Sequence, residues 1–232
     1  MTRGPEESRI VRFTTQRSAR CIVRGPEDPA AVRELWVVLH GYAQLATDFV
    51  AAFGPSTVDD GTRLIVAPEA LSRFYDSQSE PESHGDASTG ASWMTREERA
   101  YEIEDYLAWL QMAYESFASA VPTGIPITVL GFSQGAAAAS RWVAGGRVPA
   151  ARLICWGSSI APELDLGPAS PLRRARTYMV IGERDKFARE ARVAAERARL
   201  DAAGFSYTFV SFSGGHRLDD DTLRRLAADT GR

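Results

Sequence analysis

Cysteine is scarce in this chain of 232 residues, which contains two. Cys21 and Cys155 fall in separate predicted strands and in no spacing typical of a metal site, so we interpret both as buried free thiols. The sequence also lacks a glycine-rich phosphate loop with its lysine, and its three histidines form no cluster with cysteine. We therefore expect no metal and no cofactor.

The chain has no strong excess of charge of one sign and no long run of basic residues. The formal net charge is −3, the isoelectric point is near 5.7 and the arginines are scattered, so we expect no nucleic-acid partner. No apolar run approaches the length of a membrane span, which argues against stable membrane insertion. The charged segment 1–12 does not resemble a secretory signal, and we expect a cytoplasmic protein.

What the chain does contain is an alternation of apolar strands with amphipathic helices. Hydrophobic residues make up 44% of the chain and charged residues 25%, as in ordinary globular proteins. The alternation predicts a mainly parallel, doubly wound α/β sheet with helices on both faces. Residues 8–14 and 19–23 alternate apolar and polar side chains and predict an antiparallel hairpin at one edge. We find no domain boundary and expect one domain over residues 1–232.

Most predicted elements are short and clearly bounded. Strands are predicted at 35–40, 63–67, 125–130, 153–157, 177–182 and 205–210, and helices at 45–53, 96–120, 136–144 and 186–203. Residues 71–92 show no periodicity, and their place after a strand predicts a covering loop over a cleft. Phe74 in this loop, with Trp93 and Met94 just after it, would suit an apolar substrate group.

The sequence Gly131-Phe132-Ser133-Gln134-Gly135 lies between a predicted strand and a predicted helix. This G-x-S-x-G pattern in that context is typical of a nucleophile elbow, in which the serine occupies a strained turn and projects its hydroxyl. The two glycines leave room for the close approach of strand and helix. Ser133 is therefore the candidate nucleophile.

A serine nucleophile needs a base, and only three histidines are available. His216 follows the last strand and two glycines and is the best candidate, whereas His40 ends a buried strand and His84 lies in the long loop. Asp185 after the 177–182 strand is the preferred carboxylate partner of the base, with Asp165 as the alternative. The order serine, acid, histidine is that of the α/β-hydrolases.

The oxyanion formed during acyl transfer needs two hydrogen-bond donors. The backbone N–H of Gln134 at the helix N-terminus is one candidate. The backbone N–H of Tyr42, on the loop that follows His40-Gly41, is the second.

These segments resemble the phospholipase/carboxylesterase family of small α/β-hydrolases, which includes acyl-protein thioesterases and bacterial carboxylesterases. The resemblance rests on Leu39-His40-Gly41, the elbow, the 182–185 turn and Gly214-Gly215-His216, and it spans about residues 35–226. It implies an eight-stranded α/β-hydrolase fold without a separate cap domain. It also implies a catalytic triad of Ser133, Asp185 and His216, with the oxyanion hole at Tyr42 and Gln134.

The chain departs from the family pattern around the acyl pocket. It has Gly41-Tyr42-Ala43-Gln44 where the family usually has Gly-Leu/Met-Gly-Asp, and Lys186-Phe187-Ala188 where the family has Val-Pro. Ser92-Trp93-Met94 only loosely matches the family's Trp-Phe/Tyr-Asp. We interpret the chain as a divergent member.

The expected function is hydrolysis of small-molecule carboxylic esters with small or medium acyl chains through an acyl-enzyme. Lysophospholipase or acyl-thioesterase activity is the alternative. A third hypothesis is a non-catalytic binding protein with a hydrolase fold. It is disfavoured because the sequence contains every residue type of the triad. Apolar residues in predicted loops are consistent with a homodimer, which the sequence alone does not establish.

Overall fold

The computed structural model describes residues 9–75 and 88–229. Its strands are β1 (Cys21–Arg24), β2 (Glu34–Leu39), β3 (Arg63–Pro68), β4 (Ser72–Tyr75), β5 (Thr89–Ser92), β6 (Ile127–Phe132), β7 (Arg152–Trp156), β8 (Arg176–Gly182) and β9 (Thr208–Phe212). Its α-helices are α1 (Ala46–Phe49), α2 (Arg99–Ala118), α3 (Gln134–Ala144), α4 (Glu190–Ala202) and α5 (Asp220–Ala228). Short 3-10 turns at Pro29–Ala31, Val50–Phe53 and Pro171–Arg174 complete the regular structure.

Seven of these strands form one sheet in the order β1-β3-β2-β6-β7-β8-β9. All neighbouring pairs from β3 to β9 are parallel, whereas β1 pairs antiparallel with β3. The mainly parallel sheet predicted from the alternation of strands and helices is thereby confirmed. The described residues contribute seven strands to it, not the eight that the family resemblance implies.

Helices cover both faces of the sheet, because successive side chains of each strand point to opposite sides. In β2, Leu35, Val37 and Leu39 join the core beneath α2, α3 and α4, whereas Trp36 and Val38 join the core beneath α1 and α5. Every residue of β2, β6 and β7 is buried. This double burial explains the continuous apolar runs from which these strands were predicted.

Antiparallel pairing is present, but in elements other than the predicted N-terminal hairpin. Residues 9–20 form no strand, and Ile10, Val11 and Phe13 are exposed, so their alternation buries no face. The antiparallel edge strand β1 pairs with β3 instead. A separate antiparallel hairpin, β4 with β5, begins and ends the segment 71–92, where a loop without strands was predicted.

The amino ends of the parallel strands are joined by a buried ion network. The Glu34 carboxylate accepts hydrogen bonds from Arg63, Arg152 and the Thr128 hydroxyl, so four adjacent strands share it. Arg152 also donates to the carbonyl of Leu226 in α5, at 2.5 Å. The network therefore ties the sheet to the C-terminal helix, at the end remote from the carboxyl ends of the strands.

The two cysteines are free thiols, with Cys155 buried and Cys21 half-buried. Burial raises the pKa of each thiol to about 12, so neither is a thiolate at neutral pH. Among the described residues, no helix combines the length and the apolar character needed to cross a membrane.

Candidate active site

Ser133 lies between β6 and α3 in a conformation that few side chains adopt, with φ 53° and ψ −115°. Its N–H donates to the carbonyl of Trp156 at 2.7 Å, which holds the turn against β7. A Cβ on Gly131 would lie 2.2 Å from the carbonyl oxygen of Gly135, and one on Gly135 would lie 2.3 Å from that of Leu39. The two glycines of the elbow are therefore required by backbone contacts, as the sequence pattern predicts.

His216 joins Ser133 to Asp185. Its Nε2 lies 2.8 Å from the Ser133 Oγ, and its Nδ1 lies 2.7 Å from the Asp185 Oδ2. A carboxylate can only accept, so Nδ1 carries the proton and Nε2 is left with a lone pair facing the serine hydroxyl. The structure thus brings together the serine, histidine and aspartate selected from the sequence.

Asp185 is 7% exposed, and its second oxygen shapes the turn that follows. Oδ1 accepts from the N–H groups of Phe187 and Ala188, at 2.9 and 3.2 Å. The next helix begins after this turn, at Glu190, and not at 186 as predicted. The alternative acid, Asp165, is exposed and accepts from the N–H of Gly167 at 2.8 Å.

Two aromatic rings contact the imidazole of His216. The centroid of the Phe132 ring lies 4.8 Å from it, and that of Phe187 lies 4.7 Å away. Phe187 is 69% exposed, so it covers the histidine from the solvent side. Gly157 lies against the same ring, because a Cβ there would lie 2.9 Å from the His216 Cε1.

The loop 41–44 carries the first predicted oxyanion donor. The side chain of Gln44 accepts from the N–H of Gly41 at 2.7 Å and closes the loop on itself. Ala43 has φ 62°, a left-handed conformation, where the family pattern has glycine. Its N–H donates to the carbonyl of Ala91 in β5 at 3.0 Å. Within residues 9–75 and 88–229, the N–H of Tyr42 has no protein acceptor.

The second predicted donor, the N–H of Gln134, is the first N–H of α3, where helices have no internal acceptor. The side chain of Gln134 has a role that the sequence pattern does not reveal. Its Oε1 accepts from the N–H of Trp93 at 2.9 Å, and its Nε2 donates to the carbonyl of Met94 at 2.8 Å. The side chain therefore holds the segment that leaves β5.

His40 is fully buried and belongs to the framework, as predicted. Its Nδ1 lies 2.7 Å from the carbonyl of Gly41, and its Nε2 accepts from the N–H of Ala70 at 3.0 Å. Burial lowers the pKa of His40 below its usual value, although the Gly41 carbonyl and the Glu69 carboxylate oppose the shift. The neutral ring thus connects the ends of β2 and β3.

The three predicted substrate-contacting residues occupy different surroundings. Phe74 is half-buried, and its ring stacks on that of Tyr42 with centroids 5.1 Å apart. Trp93 is 2% exposed, and its Nε1 donates to the carbonyl of His40 at 2.8 Å, as a core residue would. Met94 is half-buried beside Arg141. His84, interpreted from the sequence as a solvated loop residue, lies outside the described residues.

Solved structures share this architecture over most of the chain. The acyl-protein thioesterase 2 of Zea mays is 18% identical, with a TM-score of 0.64, and the match covers 90% of this chain and 96% of that one. The α/β-hydrolase fold is confirmed. The Bacillus cereus carboxylesterase matches with 13% identity and TM-score 0.62, over 90% of this chain and 92% of that one. A phospholipase/carboxylesterase from Dyadobacter fermentans matches with 18% identity and TM-score 0.59, over 94% and 98%.

These neighbours carry the names of the protein classes that the sequence motifs resemble. No family model and no curated protein sequence matches the chain. At identities of this size, the likeness establishes the fold, whereas the chemistry depends on the residues of the site.

Proposed function

We propose that this protein is a serine hydrolase that cleaves carboxylic esters through an acyl-enzyme. The observation that carries the proposal is the row of hydrogen bonds from Ser133 through His216 to Asp185, with distances of 2.8 and 2.7 Å. A row of this kind activates a hydroxyl that is otherwise a weak nucleophile.

In the first half of the reaction, the Ser133 Oγ attacks the ester carbonyl while the His216 Nε2 takes its proton. Asp185 keeps the proton of Nδ1 in place and stabilises the imidazolium that forms. The N–H groups of Tyr42 and Gln134 donate to the oxyanion of the tetrahedral intermediate. When the intermediate collapses, His216 returns the proton to the oxygen of the leaving alcohol.

In the second half, water takes the place of the alcohol. His216 removes a proton from the water, which attacks the acyl carbonyl at Ser133 and passes through a second tetrahedral intermediate. When this intermediate collapses, the bond between the acyl carbon and the Ser133 Oγ breaks, His216 returns its proton to Oγ, and the carboxylic acid is released. The same two backbone donors serve both intermediates, so a single oxyanion hole supports both halves.

We propose further that the chain is a divergent member of the phospholipase/carboxylesterase family, acting on small or medium acyl chains. The elbow, the acid and histidine turns and the names of the structural neighbours support this membership. Exposed aromatic side chains near the site, Tyr42 at 58% and Phe187 at 69%, would suit an apolar acyl or alcohol group.

An acyl thioesterase is the second candidate, favoured by the match to the maize acyl-protein thioesterase. A thioester passes through the same tetrahedral intermediate, so the triad serves both substrates. The bond preference is therefore decided by the groups around the triad.

The test is hydrolysis of p-nitrophenyl esters of increasing acyl length by the wild type and by Ser133→Ala, beside acyl thioesters of matched length. We expect turnover that depends on Ser133 and is highest for short or medium oxyesters. Higher turnover of thioesters would favour the thioesterase. If the wild type hydrolyses none of these and a fluorophosphonate fails to label Ser133, the hydrolase proposal is wrong and a binding protein is favoured.

A further inference from the structure

The Gln134 side chain is bound to three consecutive residues that lie 40 to 42 positions earlier, to the backbone of Trp93 and Met94 and to the hydroxyl of Ser92. Its Oε1 accepts from Trp93, and its Nε2 donates to the carbonyl of Met94 at 2.8 Å and lies 3.1 Å from the Ser92 Oγ. The Ser92 hydroxyl donates to the same Met94 carbonyl at 2.9 Å. Both ends of the amide are thus satisfied by one short segment, which fixes its orientation.

That segment is bound in turn to the loop that carries the other oxyanion donor. The indole of Trp93 donates to the carbonyl of His40, two residues before Tyr42, at 2.8 Å. Ala91, which precedes the segment, accepts from the N–H of Ala43 at 3.0 Å. Gly90 lies so close to Ala43 that a Cβ on it would be 2.7 Å from the Ala43 Cα.

A continuous set of contacts therefore connects the two donors. It runs from the Gln134 side chain through 92–94 to His40 and Ala43, on either side of Tyr42. An oxyanion hole acts through the fixed separation of its donors, since each N–H must lie about 2.7–3.1 Å from the oxyanion. The backbone of Gly135 packs against the Leu39 and His40 carbonyls just before the loop 41–44, but among the described residues no hydrogen bond joins that loop directly to α3. The connection through Gln134 is therefore well placed to set the separation of the donors.

We infer that the side chain of Gln134 is a positioning residue that sets the distance between the Tyr42 and Gln134 N–H groups. The inference rests on the proposed function, because it assigns the two N–H groups to one oxyanion. It gives the glutamine of the elbow a second task, carried out by its side chain, in addition to the donor supplied by its backbone.

The test is Gln134→Met, which keeps the backbone N–H and the length of the side chain but removes all its amide hydrogen bonds. We expect kcat for p-nitrophenyl acetate to fall at least about tenfold per active site with KM little changed, because the donors act in the transition state. The inhibition constant for a boronic acid that forms a tetrahedral adduct with Ser133 is expected to rise by a similar factor.

The matched control is Gln111→Met. Gln111 is buried, whereas Gln134 is half-buried, and its amide likewise joins two elements: its Oε1 accepts from the indole of Trp142 at 3.1 Å and its Nε2 donates to Glu115 at 2.8 Å. Among the described residues, its side chain makes no hydrogen bond to the triad or to loop 41–44. We expect Gln111→Met to lower the unfolding temperature while kcat and the boronate inhibition constant stay at wild-type values.

If Gln134→Met does not fold, Gln134→Glu replaces it, because glutamate keeps an acceptor for the Trp93 N–H and loses the donor to Met94. Wild-type kcat and boronate affinity in a folded Gln134 variant would overturn the inference while Ser133-dependent hydrolysis still stood. Absence of any hydrolysis by the wild type would instead refute the proposed function. A fall in unfolding temperature alone, as in the control, would assign Gln134 to packing and overturn the inference.

Discussion

Asp185 gives its two carboxylate oxygens different partners. Oδ2 accepts from the proton of His216, whereas Oδ1 accepts from two backbone N–H groups of the turn that carries Phe187. The acid that orients the histidine thereby also places the aromatic ring that covers it. The sequence also allows Asp185 to cap a helix that begins at 186, but the helix begins at Glu190, so the Oδ1 bonds stabilise the turn before it.

The replacement Asp185→Asn separates these two tasks. The amide oxygen can still accept from Phe187 and Ala188, but the NH₂ group now faces Nδ1 of His216. The imidazole must then carry its proton on Nε2, where it cannot accept one from Ser133. We expect kcat to fall by about 10⁴-fold, as it does for this replacement in a known Ser-His-Asp protease, with the fold retained. Steady-state kinetics and circular dichroism would check this, and nearly wild-type activity would assign the acid's task to another carboxylate.

His40 is expected to make the stability of the protein depend on pH. Because burial lowers its pKa in the folded protein, the unfolded chain takes up a proton at higher pH than the folded one. The contribution is fully present above about pH 6.5 and is lost as the pH falls below that value, by up to about 1.4 kcal/mol per pH unit. Urea unfolding at pH 8 and pH 5.5 would measure the loss.

The control for this prediction is His40→Asn, which has no titratable ring. Its free energy of unfolding is expected to change less between the two pH values than that of the wild type. Equal pH dependence in both proteins would show that other groups are responsible.

Among the elements, the elbow has the glycines with the least space, since within the described residues a Cβ on Gly131 or Gly135 would come closest to another atom. A methyl group on Gly135 would lie 2.3 and 2.5 Å from the carbonyl oxygens of Leu39 and His40, both of them backbone atoms that cannot move aside alone. We expect Gly135→Ala to destabilise the protein by more than about 3 kcal/mol or to abolish soluble expression.

Gly145 supplies the comparison for Gly135, since it ends the same helix at φ −65° and a Cβ there would meet the Trp142 carbonyl at 3.3 Å. Gly145→Ala is expected to fold with nearly wild-type stability in a denaturant titration. Similar stabilities for the two variants would mean that the strand and helix can separate without cost.

The elements that could be predicted from the sequence are those in which the pattern of apolar side chains indicates which residues are buried. The buried strands β2, β6 and β7 appear as apolar runs, and the elbow has its own pattern of glycines. The hairpin β4–β5 escaped prediction because Thr89-Gly90-Ala91-Ser92 has small and polar side chains, and its place is set by close backbone contact with Ala43. The contacts of the Gln134 side chain likewise could not be predicted, because they join Gln134 to residues about 40 positions away and no local sequence pattern indicates that proximity.

At the scale of the molecule, the ion network at Glu34 holds the amino end of the sheet. Burial alone would raise the pKa of Glu34, but the charge of Arg152 and hydrogen bonds that include one from Arg63 lower it below its usual value. A lowered pKa means stability that is present above about pH 4.5 and is lost as the pH falls through the folded-state value. The network is therefore expected to lower the free energy of unfolding at acid pH, where Glu34 becomes protonated.

Replacing one member of this network would measure its contribution to the free energy of unfolding. Glu34→Gln leaves Arg152, which is 3% exposed, without its countercharge, and we expect a loss of about 3–5 kcal/mol. Because Glu34 begins β2 and Ser133 follows β6 at the other end of the sheet, kcat of the folded fraction is expected to be unchanged. Urea titration and active-site titration would measure the two quantities.

Glu98→Gln is the control, since it breaks an exposed pair with Arg12 whose two side chains are 36% and 46% accessible. Exposed pairs contribute little, so its unfolding midpoint is expected to stay close to that of the wild type. If Glu98→Gln lowered the free energy of unfolding as much as Glu34→Gln does, burial of the ion pair could not explain the effect at Glu34.

The position of the Glu34 network has a consequence for laboratory evolution. The strands are held together at the end away from Ser133, whereas the rings of Tyr42 and Phe187 are exposed at the end that carries Ser133. Changes at these two positions remove little buried surface, so libraries built there can be diverse without many members failing to fold. New substrate ranges are therefore best sought by randomising this rim and leaving the opposite end untouched.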